Sequence, residues 1–331
     1  MRTETVSEIN SSAPTAGHGI PAAAGALTLS DAELEIGISM PGVPGTYCGS
    51  RFSWAGIISH VKCGGHRLFG PWRPGKYSPD EHDNVTGTAG EFGMGIADMP
   101  SPLGFNDAAA GGHFVKIGVG VLRRPDMLPY SFARSYDIVD APHWQVRQID
   151  QGIDMRQVLA HDAYGYDYCH RIELVPGSKS FVTRHTLTNT GRKVIHQTHY
   201  SHNFMVIDEL PIGSDYEVML PFSPKNSFGP DSVIYVDGRS LKFRTPIPVG
   251  EAVFTQLSGF GDTSVDNQVT IRNRKAGVDV RITGDRPVLR YHFFAVAGAL
   301  CPEPFVDIHA TPGETVAWQH RYDIDSLPFH G

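Results

Sequence analysis

What this chain lacks narrows it first. No apolar run approaches the ~20 residues of a membrane-spanning helix, so no membrane partner is expected. There are four cysteines, Cys48, Cys63, Cys169 and Cys301, and none is spaced as CxxC, which removes the usual sign of a zinc or dithiol centre. Cys48 and Cys63 are spaced to face each other across a hairpin, but without an export signal all four read as reduced thiols. The formal charge is −7 and no basic run stands out, which argues against a nucleic-acid partner. No helical periodicity holds for ten residues. There is no GxSxG elbow, no DxDxDG calcium loop, and no helix after the GVGVL run at 118–122 to make it a dinucleotide loop. The N-terminal stretch has early acidic residues and no continuous apolar segment, unlike a secretory signal. Its Ser, Ala, Gly and Pro content reads as a flexible lead-in over residues 1–28, and a cytoplasmic location is expected.

What remains is strand and turn. With 36 Gly and 24 Pro in 331 residues, short alternating segments separated by turn residues predict about 15 strands. They include 34–40, 51–61, 67–70, 114–122, 144–149, 155–161, 167–174, 216–220, 232–235, 252–257, 269–273, 278–282, 289–296 and 315–324. Residues 71–112 break into Gly, Pro, Asp and Asn, and read as a long binding loop or lid. The most informative stretch is 181–208, read as a hairpin turning at Asn189-Thr190-Gly191. Its second arm delivers His199, Tyr200, His202 and Asn203 together. Imidazoles and an amide in a strand cost free energy unless they meet each other or a polar ligand. Strands without interleaved helices mean an all-β fold, a large antiparallel sandwich or barrel, with residues 29–331 as one domain.

The strand HNFMVID at 202–208 resembles the NHxYFNL strand of aldose 1-epimerases. CPEPFVDI at 301–308, the Pro-Gly-Glu turn at 312–314, the closing strand WQHRYDI and the early GSRFSWAGIISHV are similar to segments of the same family. The resemblance is to the broader galactose mutarotase-like superfamily and runs from about residue 34 onwards. It implies a β-supersandwich and a small-molecule carbohydrate partner. It also implies that His202 protonates the ring oxygen while Glu303 takes the proton of the anomeric hydroxyl. The family's second histidine motif, of the Asn-x-Leu-His-Gly-Gly type, is absent. Ala110-Gly111-Gly112-His113 is the nearest replacement.

Read as chemistry, imidazole suits proton transfer because both its protonation states are accessible near neutrality. Glu303 lies between Pro302 and Pro304, directly after an apolar strand, where stiff backbone and burial would present it and raise its pKa. Arg51, His113, Lys116, His199, Tyr200 and Asn203 are the candidate substrate-binding residues, Arg51 because a guanidinium forks onto sugar hydroxyls. His82, Asp83 and Glu91 are loop groups able to close over a substrate. Trp54, Trp72, Tyr200 and Phe204 are stacking candidates, with ordinary core packing the better reading of each. On an ideal strand Tyr200, His202 and Phe204 share one face, while His199, Ser201 and Asn203 share the other. His199 and His202 are therefore no metal pair, and neither metal nor organic cofactor is expected. The reaction expected is anomer interconversion. The alternatives are epimerisation, elimination or deglycosylation with the same pair, or non-catalytic sugar binding.

Overall fold

Side chains alternate between buried and part-exposed along strands such as Tyr164–Leu174, as expected for sheets with one face in a core. The computed structural model describes residues 25–72 and 78–326, so most of the expected lead-in lies outside the described residues. Its last residues do not: Ala26–Ser30 forms a strand, β1, that the sequence reading missed. With β2 (Leu34–Ser39), β3 (Ile58–Cys63) and β4 (His66–Leu68) it makes a four-stranded sheet. Next come β5 (Thr88–Phe92) and a three-stranded sheet of β6 (His113–Lys116), β7 (Gly120–Arg123) and β8 (Ile138–Asp140). Then follow β9 (Trp144–Ile149), β10 (Gly152–His161), β11 (Tyr164–Leu174), β12 (Ser180–Asn189), β13 (Ile195–Asn203), β14 (Tyr216–Met219), β15 (Ile234–Asp237) and β16 (Ser240–Phe243). The last are β17 (Ala252–Leu257), β18 (Gln268–Asn273), β19 (Val278–Gly284), β20 (Arg290–Val296), β21 (Ala299–Ala310) and β22 (Thr315–Ser326).

Two antiparallel sheets carry the architecture. One has ten strands in the order β15-β16-β14-β18-β19-β22-β12-β11-β10-β9, the other five in the order β17-β20-β21-β13-β5. Inner-face residues of the two sheets meet: Phe92 packs edge-on against Tyr168 and Trp318, and the Tyr322 hydroxyl donates to Asn203 at 3.0 Å. The stretch 181–208 is therefore no hairpin. Its arms lie in different sheets, β12 between β11 and β22, and β13 between β21 and β5. Alternation is satisfied equally by a strand paired to its neighbour and by one that crosses the core, so periodicity could not tell them apart.

Three other expectations change. Residues 51–57 are buried turns rather than strand. The 71–112 excursion contains β5, buried along its whole length. Glu303 lies within the long strand β21 rather than after a strand.

The prolines of β21 have a topological consequence. Met205 and Leu300 exchange both backbone hydrogen bonds (3.1 and 3.0 Å), and the β13–β21 ladder proper runs from Ile195↔Ala310 to His199↔Val306. In the intervening register Asn203 faces Pro302 and Ser201 faces Pro304, at positions where β21 would donate its N–H groups. Proline has none. The two strands lie side by side there without a ladder. His202 and Glu303 are opposite one another in that gap, at a non-hydrogen-bonded position where facing side chains come closest.

Candidate active site

The outer face of the five-stranded sheet carries the polar groups. His202 Nε2 lies 3.2 Å from Glu303 Oε1, and both residues are almost completely buried, at 5% and 2% exposure. Rings enclose them: Phe204 stacks on His202 at 4.0 Å, while Phe52 and Phe294 meet it edge-on, each at 5.8 Å. Trp72 stacks in turn on Phe204 at 5.4 Å. In this apolar surround charge is disfavoured. Burial pushes the Glu303 carboxyl up to about 8, with Arg51 pulling it down and Glu91 pushing it up. Burial and the Arg51 charge hold His202 well below the usual imidazole range. At neutral pH the carboxyl therefore keeps its proton while the imidazole is uncharged. His202 Nδ1 is buried without a partner.

Beside the pair sits a buried ion network. Glu91, cross-strand neighbour of Tyr200, receives Arg51 Nε at 3.0 Å, the Tyr200 hydroxyl at 2.7 Å and Lys116 Nζ at 3.1 Å. Arg51 Nη2 also donates to the Tyr200 hydroxyl at 3.2 Å, and Lys116 Nζ donates to the Tyr130 hydroxyl at 2.8 Å. The Arg51 guanidinium lies 4.5 and 4.6 Å from the ring centres of Phe52 and Phe132. Burial would raise Glu91, but Arg51 and Lys116 outweigh it and keep the carboxylate ionised. Burial lowers Lys116 against the pull of Glu91. The local fold explains how Arg51 arrives. The turn segment after Cys48 runs along the free edge of β5, with Ser53 N donating to Gly90 O at 2.8 Å and Trp54 N to Gly118 O at 3.0 Å.

The structure thus brings together His202, Glu303, Arg51, Lys116 and Tyr200. It does not bring the others. His113 is exposed at the start of β6, its ring 5.6 Å from that of His161 and in a different sheet from the pair. His199 and Asn203 lie on the inner face, as strand alternation requires. His199 Nδ1 accepts from Trp318 Nε1 at 3.1 Å within a cluster of buried imidazoles that includes His185, His170 and His320. Gly90 is required there, because a Cβ would come within 2.9 Å of His199 Nε2. Among the described residues no His, Cys, Asp and Glu group is arranged to hold a metal ion. All four cysteines are free thiols.

Sequence reasoning placed Glu91 in a loop and passed over Tyr130 and His292. Glu91 was legible only as the polar member of a short buried strand; the other two had no motif. Trp54 is core, its Nε1 bonded to Gly49 O at 2.9 Å.

The site is covered. Met94 and Met99, with Ile96 and Phe132 against them, pack on Tyr200 and Phe305, and Asp98 of the same segment forms an ion pair with Arg290 of β20. A cavity of about 10 Å³ lies on the inner side of the proline gap, lined by Ser201, Asn203, Pro302, Pro304 and His320 among others. It has room for about one water and none for a sugar.

No protein-family model matches the chain. No curated protein matches it either. Solved structures do. A protein from Escherichia coli K12, provisionally described as an aldose 1-epimerase, aligns with a TM-score of 0.55 at 15% identity, over 91% of this chain and 99% of its own. A galactose mutarotase-like protein from Clostridium acetobutylicum aligns at 0.54 and 12% identity, over 92% and 94%. A protein of Synechocystis sp. PCC 6803 aligns at 0.56 and 11%, over 94% and 100%. The chain has the galactose mutarotase-like fold. Among the described residues no helix is long and apolar enough to cross a membrane.

Proposed function

We propose that the chain is a carbohydrate-active isomerase that interconverts the anomers of a sugar through His202 and Glu303. The observation that carries this reading is the 3.2 Å contact between an imidazole and a carboxyl, buried together on one sheet face. Anomerisation needs such a couple. One member takes the proton of the anomeric hydroxyl as the ring C–O bond breaks, and the other delivers a proton to the ring oxygen. After rotation of the aldehyde both transfers run backwards on the other face. Glu303 as base and His202 as acid perform the opening step once the carboxyl's proton has passed to the imidazole, and their roles reverse on closure. The open-chain aldehyde is intrinsic to the sugar, so the chemistry asks for no further group. Tyr200, Arg51, Glu91 and Lys116 form the rigid wall against which the ring is held.

A pyranose reaches the pair when the cover of Met94, Met99 and Phe132 moves aside. Closure over the sugar would then exclude water from the reacting atoms. The free thiols fit a reducing compartment, and we place the protein in the cytoplasm. Polarimetry on freshly dissolved α-D-glucose and α-D-galactose tests the assignment. Equilibration faster than buffer is expected, and a rate equal to buffer across a panel of aldoses overturns it.

A second reading keeps the pair and moves the chemistry to another carbon of an acidic sugar. It is favoured by two buried cations, Arg51 and Lys116, sharing the single carboxylate of Glu91. Release of an unsaturated product from a uronoside would distinguish it.

A further inference from the structure

β20 brings a third polar group to the same face. His292 is the direct cross-strand partner of Glu303, on the side away from His202. Facing residues of an antiparallel pair project from the same face, about 5 Å apart at Cβ. Neighbouring contacts agree: Phe305 meets the ring of His292 at 4.9 Å and stacks on Tyr200 at 4.2 Å, while Phe294, two residues after His292, meets His202 at 5.8 Å. His292, Glu303 and His202 therefore form a row across three adjacent strands.

His292 is only 2% exposed, and its Nδ1 is buried with no partner. His202 Nδ1 is in the same condition. A buried polar atom without a partner is destabilising, so an imidazole kept only as filler between Phe254 and Phe305 would be worse than an apolar side chain of similar size. Two unpartnered imidazole nitrogens, one strand spacing to either side of one carboxyl, instead match a ligand whose several oxygens lie spread across the three strands.

We propose that His292 is a substrate-positioning residue, hydrogen-bonding a ring hydroxyl of the sugar whose anomeric centre lies at Glu303. The assignment rests on the sugar-site reading above, but it concerns binding and can be tested without turnover. Burial beside Arg290 holds the His292 ring down at about 4. The ring is therefore neutral at working pH and presents one donor and one acceptor nitrogen.

The test uses full-length protein carrying ¹⁵N-labelled histidine, titrated with D-glucose, D-galactose, D-glucuronate and D-glucose 6-phosphate. The His292 ring resonances, assigned by their loss in His292→Phe, are expected to shift with at least one sugar. His292→Phe is expected to raise KM or Kd for that sugar about 10-fold, the worth of one hydrogen bond, with kcat changed less. His292→Asn, which keeps a hydrogen-bonding group near the δ position, is expected to restore most of the loss. Shifts with no acceleration of mutarotation leave His292 assigned and remove the mutarotase reading. Mutarotation in His292→Phe with wild-type KM removes His292 and leaves that reading. His292 ring resonances unmoved by every sugar overturn the assignment, and their loss in His292→Asn identifies them should His292→Phe fail to fold.

Discussion

His202 Nε2 and Glu303 Oε1 meet at 3.2 Å where two prolines remove the backbone ladder between their strands. The contact joins residues about a hundred positions apart in sequence through strand register. Side chains thus bridge a seam that main-chain hydrogen bonds would otherwise close.

Removing either member of that couple should remove the acceleration while leaving the fold intact. Glu303→Gln and His202→Asn are each expected to slow mutarotation by about 10²- to 10⁴-fold. Kd for the sugar, read by calorimetry, should change far less. Wild-type rates in Glu303→Gln would show that the pair is not the acid–base couple.

The couple works while it holds one proton, so activity should follow that proton. With Glu303 raised to about 8 by burial, kcat/KM is expected to stay level through neutral pH and fall above about pH 8 as the pair loses it. The fall on the acid side should come well below the ordinary histidine range, because burial opposes a second proton on His202. A pH–rate profile centred on an acid limb near 6.5 would contradict this.

The ion network should matter more for stability than for direct chemistry. Glu91→Gln leaves Arg51 and Lys116 buried without their carboxylate, and is expected to cost about 3–5 kcal/mol in urea unfolding. Pairing it with Lys116→Met removes one of the stranded cations and should recover a sizeable part. A double variant as unstable as the sum of the two single ones would show that the groups are not coupled.

The inner imidazoles should govern acid stability. In the unfolded chain a histidine takes up its proton near 6.5, whereas burial keeps His320 from doing so until about 4 and His170 until about 3. Between those values the unfolded state holds the extra proton, so stability is lost as pH falls through that window. His320→Gln is expected to cut the loss between pH 6.5 and 4 by about 3 kcal/mol. Glu303 works oppositely. From about 4.5 to about 8 the folded state keeps a proton that the unfolded chain has released, so stability falls as pH rises, and Glu303→Gln should flatten that slope. Chemical denaturation across pH measures both.

By itself the sequence determined the all-strand class, through alternation and the absence of helical period. It also determined that Tyr200 and His202 leave β13 on one face and His199 and Asn203 on the other, because that follows from backbone geometry. Arg51, Lys116, His202 and Glu303 were legible as polar groups in apolar surroundings. Tertiary structure alone decided the rest. It sent β12 and β13 to different sheets, placed β5 beside β13 so that Glu91 met Arg51 and Lys116, left His113 exposed at the start of β6, and set His292 opposite Glu303. Each of these depends on which strand lies next to which and in what register. Those choices are fixed by burying both sheets' inner faces at once, a condition on the whole chain that no local pattern contains.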